Sequence, residues 1–161
     1  MSITVYLSGS MSRHSTWWAR EQAWLEGRGC KVYNPWKEED AILQNYEITP
    51  KEARSGALNK LDLVTKKQYG YDVLLQDFKE IRRDTTVVLV RYKAPTPGTM
   101  AEIGWAFGLR EILNKKIYTH IVNVSGKQPP LRLLGMSTAV HDNFTQWHNY
   151  AVRHYKLRRK K

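Results

Sequence analysis

Thr86-Val87-Val88-Leu89-Val90, followed shortly by Pro97-Gly98-Thr99-Met100-Ala101-Glu102-Ile103-Gly104-Trp105-Ala106, decides how this 161-residue chain folds. The first run is unbroken and rich in β-branched residues, the pattern of a strand buried on both faces. The second opens on a Pro/Gly turn and continues with apolar residues at helical spacing. The pair predicts a strand over 86–91 and a helix over 100–112. In an open α/β sheet, ligands bind at such carboxyl ends of strands, and a helix N-terminus favours anions. This reading places Glu102 in the first helical turn, where an acid is either a cap or a reactive group.

Working outward, Ile3, Val5 and Leu7 alternate with Thr4, Tyr6 and Ser8, predicting a strand over 3–8. The turn Ser8-Gly9-Ser10-Met11-Ser12-Arg13 follows, then a helix over 15–28 and a short strand, Lys31-Val32-Tyr33. Residues 36–70 are polar and hold no sustained period, with short helical pieces around 37–45 and 50–60. A segment of that length is expected to be a lid or binding loop. Its aromatics Trp36, Tyr46, Tyr69 and Tyr71 either stack on a planar ligand or pin the loop to the domain. A helix over 72–83 takes Asp72 as its N-cap. Beyond the central strand and helix come a strand over 116–122, a loop over 123–130, a short strand near 137–141 and a helix over 143–157.

Five strands alternating with helices predict a parallel sheet joined by right-handed crossovers. The expected fold is a single α/β domain over residues 1–161, a three-layer sandwich of flavodoxin-like or Rossmann-like type. The ends of the first and third strands then meet at the switch point, which brings Ser8–Arg13 beside Pro97–Glu102.

Composition narrows the function classes. Hydrophobic residues make up 42% and charged residues 25%, ordinary for a globular protein. No apolar run is long enough to span a bilayer, and the first residues enter a strand at once, so neither membrane nor signal peptide is expected. The single cysteine, Cys30, excludes an internal disulfide and fits a reducing compartment, hence a cytoplasmic location. Without a Cys/His cluster, no metal site is expected. The formal net charge of +11 fits anionic partners. Part of it sits in the tail Lys156-Leu157-Arg158-Arg159-Lys160-Lys161, which reads as a solvated end or as a contact for nucleic acid or an acidic partner. The tail lacks the interleaved aromatics of single-strand binders.

Thr99-Met100-Ala101-Glu102 fits a Thr-x-x-Glu capping box. Three features favour a reactive Glu102 instead. Tyr6 leaves the first strand near the switch point, within reach of a carboxylate. Asp77 supplies a second carboxylate, and paired carboxylates divide nucleophile and acid roles when their pKa values are driven apart. Ser8, Ser10, Ser12 and Arg13 suit a phosphate or sugar. Each has a structural alternative: a core tyrosine, a surface acid, a plain turn. Asp84 reads as a turn or capping residue. His14, His120, His141, His148 and His154 show no triad or metal spacing. There is no G-x-S-x-G elbow, and Gly9 alone is not a dinucleotide fingerprint.

At these residues the chain resembles the nucleoside 2-deoxyribosyltransferase family, including its deoxynucleoside 5′-monophosphate N-glycosidase branch. The matching pieces are Val5-Tyr6-Leu7-Ser8-Gly9-Ser10, Gln76-Asp77-Phe78, Asp84, and Gly98-Thr99-Met100-Ala101-Glu102-Ile103-Gly104-Trp105-Ala106. The resemblance implies that Glu102 attacks C1′ of the deoxyribose and displaces the base, and that a second base or water resolves the covalent deoxyribosyl-enzyme. It implies that Tyr6 orients Glu102 and that Asp77 binds the sugar and passes a proton to the leaving base. Ser10, Thr96 and Thr99, with Arg13 nearby, would bind a 5′-phosphate, and Ser8, Gly9 and Gly98 belong to the same substrate-binding turns. Transferases of the family often carry another acid shortly before the glutamate. This chain has Ala94-Pro95-Thr96-Pro97 there, which favours 5′-phosphate recognition. The implied partners are a deoxynucleoside or deoxynucleotide and a free nucleobase, with no cofactor and with assembly into a homo-oligomer. Two other classes stay open: a non-catalytic nucleotide sensor using the same pocket, and a nucleic-acid binder using the basic tail.

Overall fold

The computed structural model describes residues 3–9, 16–94 and 96–158, apart from the side chains of Trp36 and Arg54. In chain order the elements are β1 (Thr4–Gly9), α1 (Trp17–Glu26), β2 (Lys31–Tyr33), α2 (Pro35–Gln44), α3 (Pro50–Arg54), α4 (Ala57–Lys60) and α5 (Leu63–Arg83). They continue with β3 (Val87–Tyr92), α6 (Pro97–Leu113), β4 (Tyr118–Asn123), α7 (Leu131–Met136), β5 (Ala139–His141) and α8 (Phe144–His154). The five strands form one sheet in the order β2-β1-β3-β4-β5, and every neighbouring pair is parallel. The fold is the expected α/β three-layer sandwich, with its switch point between β1 and β3.

Strand alternation sorts the core into two layers. Val5, Leu7, Val87, Leu89 and Val122 pack with Trp18, Leu25, Trp147 and Ala151 of α1 and α8. Tyr6, Val88, Val90 and Ile121 face the other way, onto Ile81, Ile103, Ala106 and Leu109 of α5 and α6. Side chains such as Leu7, Leu89 and Trp147 are fully buried, and each contributes about 1.5–3 kcal/mol or more.

The middle of the chain differs from its expected form. Most of residues 36–70 is helical rather than irregular, and Leu43, Ile48 and Ala53 form a small core of their own. The long helix begins at Leu63, not at 72. Asp62 is its N-cap, accepting from Val64 and Thr65 N–H at 2.9 and 3.0 Å. Asp72 lies mid-helix and accepts from Tyr46 Oη at 2.6 Å and Gln68 Nε2 at 2.8 Å. Gly70 inside the helix costs only about 1 kcal/mol against alanine, too little to break it. Tyr69 donates to Glu39 of α2 and packs edge-on against Tyr46, so these two tyrosines pin the segment to α5.

At the other end, α8 stops at His154, short of the expected 157. Leu157 then turns back into the core, 6% exposed, after Lys156 takes a positive φ of 54°. The first residues of the basic tail are therefore anchored rather than frayed. Residues 159–161 lie outside the described part. The helix α7 was not signalled by the Gly/Pro-containing loop expected before it. No described helix is long and apolar enough to cross a membrane.

Candidate active site

Tyr6 and Ser8 are two residues apart on β1, so both side chains leave the same face of the sheet. That face is covered by α6. Thr96 and Pro97 start this helix as N-cap and first helical residue: Thr96 is extended, and its Oγ1 accepts from Thr99 N–H at 3.3 Å. Proline suits the first position because its fixed φ is helical and it has no N–H to leave unpaired. With the start fixed there, Glu102 is the sixth helical residue, in the second turn rather than the first. The Thr99-to-Glu102 capping box does not form. Helical side chains point toward the N-terminus, and the Glu102 carboxylate reaches the end of β1 instead. Tyr6 Oη donates to Oε1 at 2.9 Å, and the Ser8 hydroxyl donates to Oε2.

Asp77 stands on α5 one turn before Ile81, which is buried against the sheet, so it too faces inward. Its carboxyl lies close enough for its charge to act on both Tyr6 and Glu102. The electrostatics follow from crowding acids into a site that is nearly dry, with Glu102 only 8% exposed. Burial raises the Glu102 carboxyl to about 8, opposed by the Ser8 bond, with the Asp77 charge adding to the rise and the Tyr6 bond reducing it. Burial likewise lifts Asp77 to about 6, against the Tyr6 hydrogen bond and with help from the Glu39 charge. Burial and the two carboxylates push the Tyr6 phenol well above its usual 10, so it stays protonated. Between the two carboxyl values the pair holds one proton. At neutral pH these values leave the proton on Glu102 and ionise Asp77, so attack by Glu102 at an anomeric carbon first requires that proton to pass to Asp77.

The remaining candidates fall around this centre. Gly9 ends β1 with φ 147°, and a Cβ there would lie 2.5 Å from Arg91 O, so only glycine lets β1 approach β3 at this point. Thr96 and Thr99 share a hydrogen bond between hydroxyls at 2.9 Å, and Thr99 is buried. Gly98 lies in open space on the first turn. Ser10 and Arg13 lie outside the described residues, as do Ser12, His14 and Pro95.

No protein-family model matches the chain, and no curated protein matches it significantly.

Several polar clusters gave no sequence signal. Glu21 of α1 is 3% exposed and accepts from Trp147 Nε1 and pairs with His148 Nε2, both at 2.8 Å. Trp24 stacks on that His148 ring at 3.8 Å between centroids. His120 and His141 on adjacent strands are 3.1 Å apart, Nδ1 to Nε2, and His120 Nε2 is 2.7 Å from Tyr155 Oη. Their partners are distant in sequence, so no local spacing could reveal them. Asp84, read as a turn residue, ends α5 and pairs with Lys31 at 3.7 Å. Cys30 is buried, and burial pushes its thiol up to about 11, away from thiolate chemistry. Among the described residues no group of three or more His, Cys, Asp or Glu side chains is placed to hold a metal ion.

Proposed function

We propose that the chain is an enzyme that cleaves or exchanges the N-glycosidic bond of a 2′-deoxynucleoside or its 5′-monophosphate. The observation that carries this reading is the double grip on Glu102: Tyr6 and Ser8 hold its carboxylate in the interior, with the Asp77 charge close by. A cap would turn Glu102 back to the backbone of Thr99. The sequence resemblance to the nucleoside 2-deoxyribosyltransferases adds support, because that family's nucleophile, orienting tyrosine and sugar-side aspartate fall on Glu102, Tyr6 and Asp77.

In this mechanism the proton shared by the two acids moves from Glu102 to Asp77 and leaves Glu102 ionised. A Glu102 oxygen forms a bond to C1′ while the C1′–N bond breaks and its electron pair leaves with the base. Asp77 gives its proton to that base. The charge that develops on the sugar is stabilised by the adjacent carboxylate. Water, or the nitrogen of a second base, then attacks C1′ from the vacated side, gives its proton to Asp77 and frees Glu102. The partners on this reading are the deoxynucleoside or deoxynucleotide and a free base. Assembly into a homo-oligomer is part of the proposal by resemblance alone.

The test incubates the protein with each deoxynucleoside and each 5′-monophosphate, with and without a second free base, and follows base release or exchange. Activity is expected to vanish in Glu102→Gln and Glu102→Ala with folding intact. Activity that survives either change would sink the mechanism. Ligand-dependent thermal stabilisation without base release from any substrate would replace it with a nucleotide-binding module.

A further inference from the structure

The helices of a parallel sheet run back from its carboxyl edge, so α1, α5 and α6 all end at the amino edge, where β2, β3 and β4 begin. The chain leaving α8 arrives there too, since the Tyr155 ring lies 6.2 Å from that of Tyr118 at the start of β4. This edge is the end of the strands remote from Ser8 and Glu102. The stretches 23–31, 80–87, 110–118 and 151–158 make it up. Together they hold ten Lys and Arg against four Asp and Glu, a surplus of six within the chain's +11. Cations favour helix C-termini, an effect confined to the last turn. Lys115 has such a role at the end of α5: its Nζ donates to Arg82 O, and to Ile81 O and Arg83 O at 3.3 and 3.2 Å. Lys31 and Lys116 lie outside any helix, at strand starts, so the dipole does not account for them.

The cluster is contiguous across several elements. Asp84 Oδ2 meets Lys31 Nζ at 3.7 Å and Arg83 Nε at 3.5 Å. Lys115 draws the connection from α6 to β4, and Lys116 with it, against Arg82 and Arg83. Burial lowers the pKa of Lys115, the Asp84 charge opposes that shift and the Arg82 charge adds to it, so these cations feel one another. Arg82 and Arg83 also wall, with Lys79, a recess of about 530 Å³ in which the acid Glu80 accepts from Gln76 Nε2 at 3.0 Å. Crowded like charges repel, and an anion laid along them relieves the repulsion. Tyr118 stands among them, 36% exposed, two residues after Lys116 and beside the Tyr155 that precedes Lys156 and Arg158. Proteins that hold single strands combine these two features: cations follow the phosphates while a base stacks on an aromatic ring. A duplex keeps its bases stacked on each other and leaves such a ring unused.

We propose that the amino edge of the sheet is a docking face for single-stranded nucleic acid, with Lys31, Arg82, Arg83 and Lys116 on the phosphates and Tyr118 under a base. The basic tail extends this face and is not the site itself. Glu102 lies at the other end of the strands, so the face and the proposed reaction stand or fall separately.

Binding is read as the fluorescence anisotropy of a labelled single strand of about 20 nucleotides, titrated with the full chain from about 50 to 200 mM salt. The logarithm of the affinity is expected to fall against that of salt with a slope of about −3, roughly −0.7 for each phosphate neutralised. Lys31→Gln, Arg82→Gln, Arg83→Gln and Lys116→Gln together should weaken binding by at least about 10-fold and remove most of the slope. These side chains are exposed and their pairs with Asp84 add little stability. Where the fourfold variant fails to fold, Arg82→Gln with Lys116→Gln should remove about half of the slope. Lys51→Gln, Lys60→Gln, Lys66→Gln and Lys67→Gln together take away the same charge elsewhere and should cost less than about 3-fold. Tyr118→Ser should weaken the single strand by about 10-fold and leave the slope unchanged. The proposal is overturned if no binding occurs at the lowest salt, or if the two fourfold variants lose affinity equally. Abolition of binding by deleting residues 159–161 alone overturns it as well. So does a duplex of the same sequence, or a vesicle of anionic lipid, that binds as tightly as the single strand.

Discussion

The Tyr6 phenol donates to Glu102 Oε1 at 2.9 Å, joining the first strand to a helix 96 residues further along the chain. The bond lies in the interior and connects two elements that flank the switch point. Tyr6 therefore fixes the position of Glu102, beside the charge of Asp77. Removing its hydroxyl is therefore expected to affect stability and chemistry by separate routes.

Tyr6→Phe leaves Glu102 Oε1 without its phenolic donor. A buried acceptor that loses its partner costs about 1–3 kcal/mol, which urea denaturation at pH 7 will measure. Base release is expected to slow by about 10- to 100-fold, since a misoriented carboxylate loses near-attack geometry. Ser8→Ala removes the second donor and, with it, an interaction that lowers the Glu102 pKa. The alkaline limb of activity in Ser8→Ala should consequently move upward. Unchanged stability and rate in Tyr6→Phe would show that the phenol is a bystander.

The pH profile of kcat/KM is expected to be bell-shaped. The reactive form holds one proton over Glu102 and Asp77, the state bounded by values of about 6 and about 8. Activity should peak near neutrality and fall on both sides, the limbs belonging to the pair rather than to either residue. Asp77→Asn abolishes the one-proton pair and should reduce the profile to a single limb. A flat profile from pH 5 to 9 would exclude proton sharing as the basis of the chemistry.

Much of this was legible before any coordinates. The run Val87 to Val90 and the alternation of Ile3, Val5 and Leu7 each carry a buried period, and they sufficed for the sheet and its switch point. Tyr6, Asp77 and Glu102 were readable as a set because two lie beside strand ends and the third is on a crossover helix. The start of α6 was misread, although Thr96-Pro97 is itself a cap-and-first-residue signal, because Thr99 offered a competing box. The start of α5 differs from the expected 72 because Asp72, a plausible cap by residue type, spends its carboxylate on Tyr46, while Asp62 caps the helix instead. The burial of Glu21 and the His120–His141–Tyr155 chain depends on contacts across the tertiary structure, which no local pattern encodes.

Folding stability should fall as pH rises through the neutral range. The Glu102 carboxyl titrates near 4.5 when exposed and at about 8 in the folded protein. Between those values the unfolded chain has released a proton that the native state keeps, so each pH unit favours unfolding by up to about 1.4 kcal/mol. Asp77 adds the same sign over a narrower window, from 3.8 to about 6. Glu102→Gln cannot ionise, and its stability should be flatter from pH 5 to 8 than that of the unaltered chain. Chemical denaturation at pH 5, 6, 7 and 8 compares the slopes; equal slopes would mean that Glu102 does not titrate as its burial demands.

Gly9→Ala is expected to destabilise the fold even though it adds a single methyl group. The φ of 147° is strained for an L-residue, and the new Cβ would meet the Arg91 carbonyl oxygen at 2.5 Å. Backbone strain of this kind costs about 1–3 kcal/mol, and the strands must also part to relieve the contact. Parting β1 from β3 moves Ser8 away from the switch point, so activity should fall more steeply than for a surface change of equal stability cost. Gly98→Ala meets open space at an exposed first turn and should leave the melting temperature within a few degrees. Similar melting temperatures for the two variants would contradict the close approach at Gly9.

Acid should weaken the edge of the sheet through His120. His120 Nε2 is 2.7 Å from Tyr155 Oη and His120 Nδ1 is 3.1 Å from His141 Nε2, and with both rings neutral either tautomer of His120 satisfies the two contacts. Burial, with the neighbouring His141 and His154 adding to it, lowers His120 from 6.5 to about 3, and burial lowers His141 as well despite the opposing charge of Asp142. A histidine whose folded pKa is depressed contributes stability above its unfolded pKa and loses it as pH falls toward the folded value. Below pH 6.5 the unfolded chain takes up protons that the native state refuses, at up to about 1.4 kcal/mol per pH unit for His120, with His141 adding the same sign. His120→Phe does not take up that proton. It should be less stable at pH 7, where it leaves the Tyr155 hydroxyl and His141 Nε2 without their partner, yet should lose less of its stability between pH 6.5 and 4. Tyr155 sits just before Leu157, so loosening this chain should also free the anchored start of the basic tail, read as faster proteolysis after Lys156 at pH 5 than at pH 7. An acid slope in His120→Phe as steep as in the unaltered protein would assign the loss to other groups.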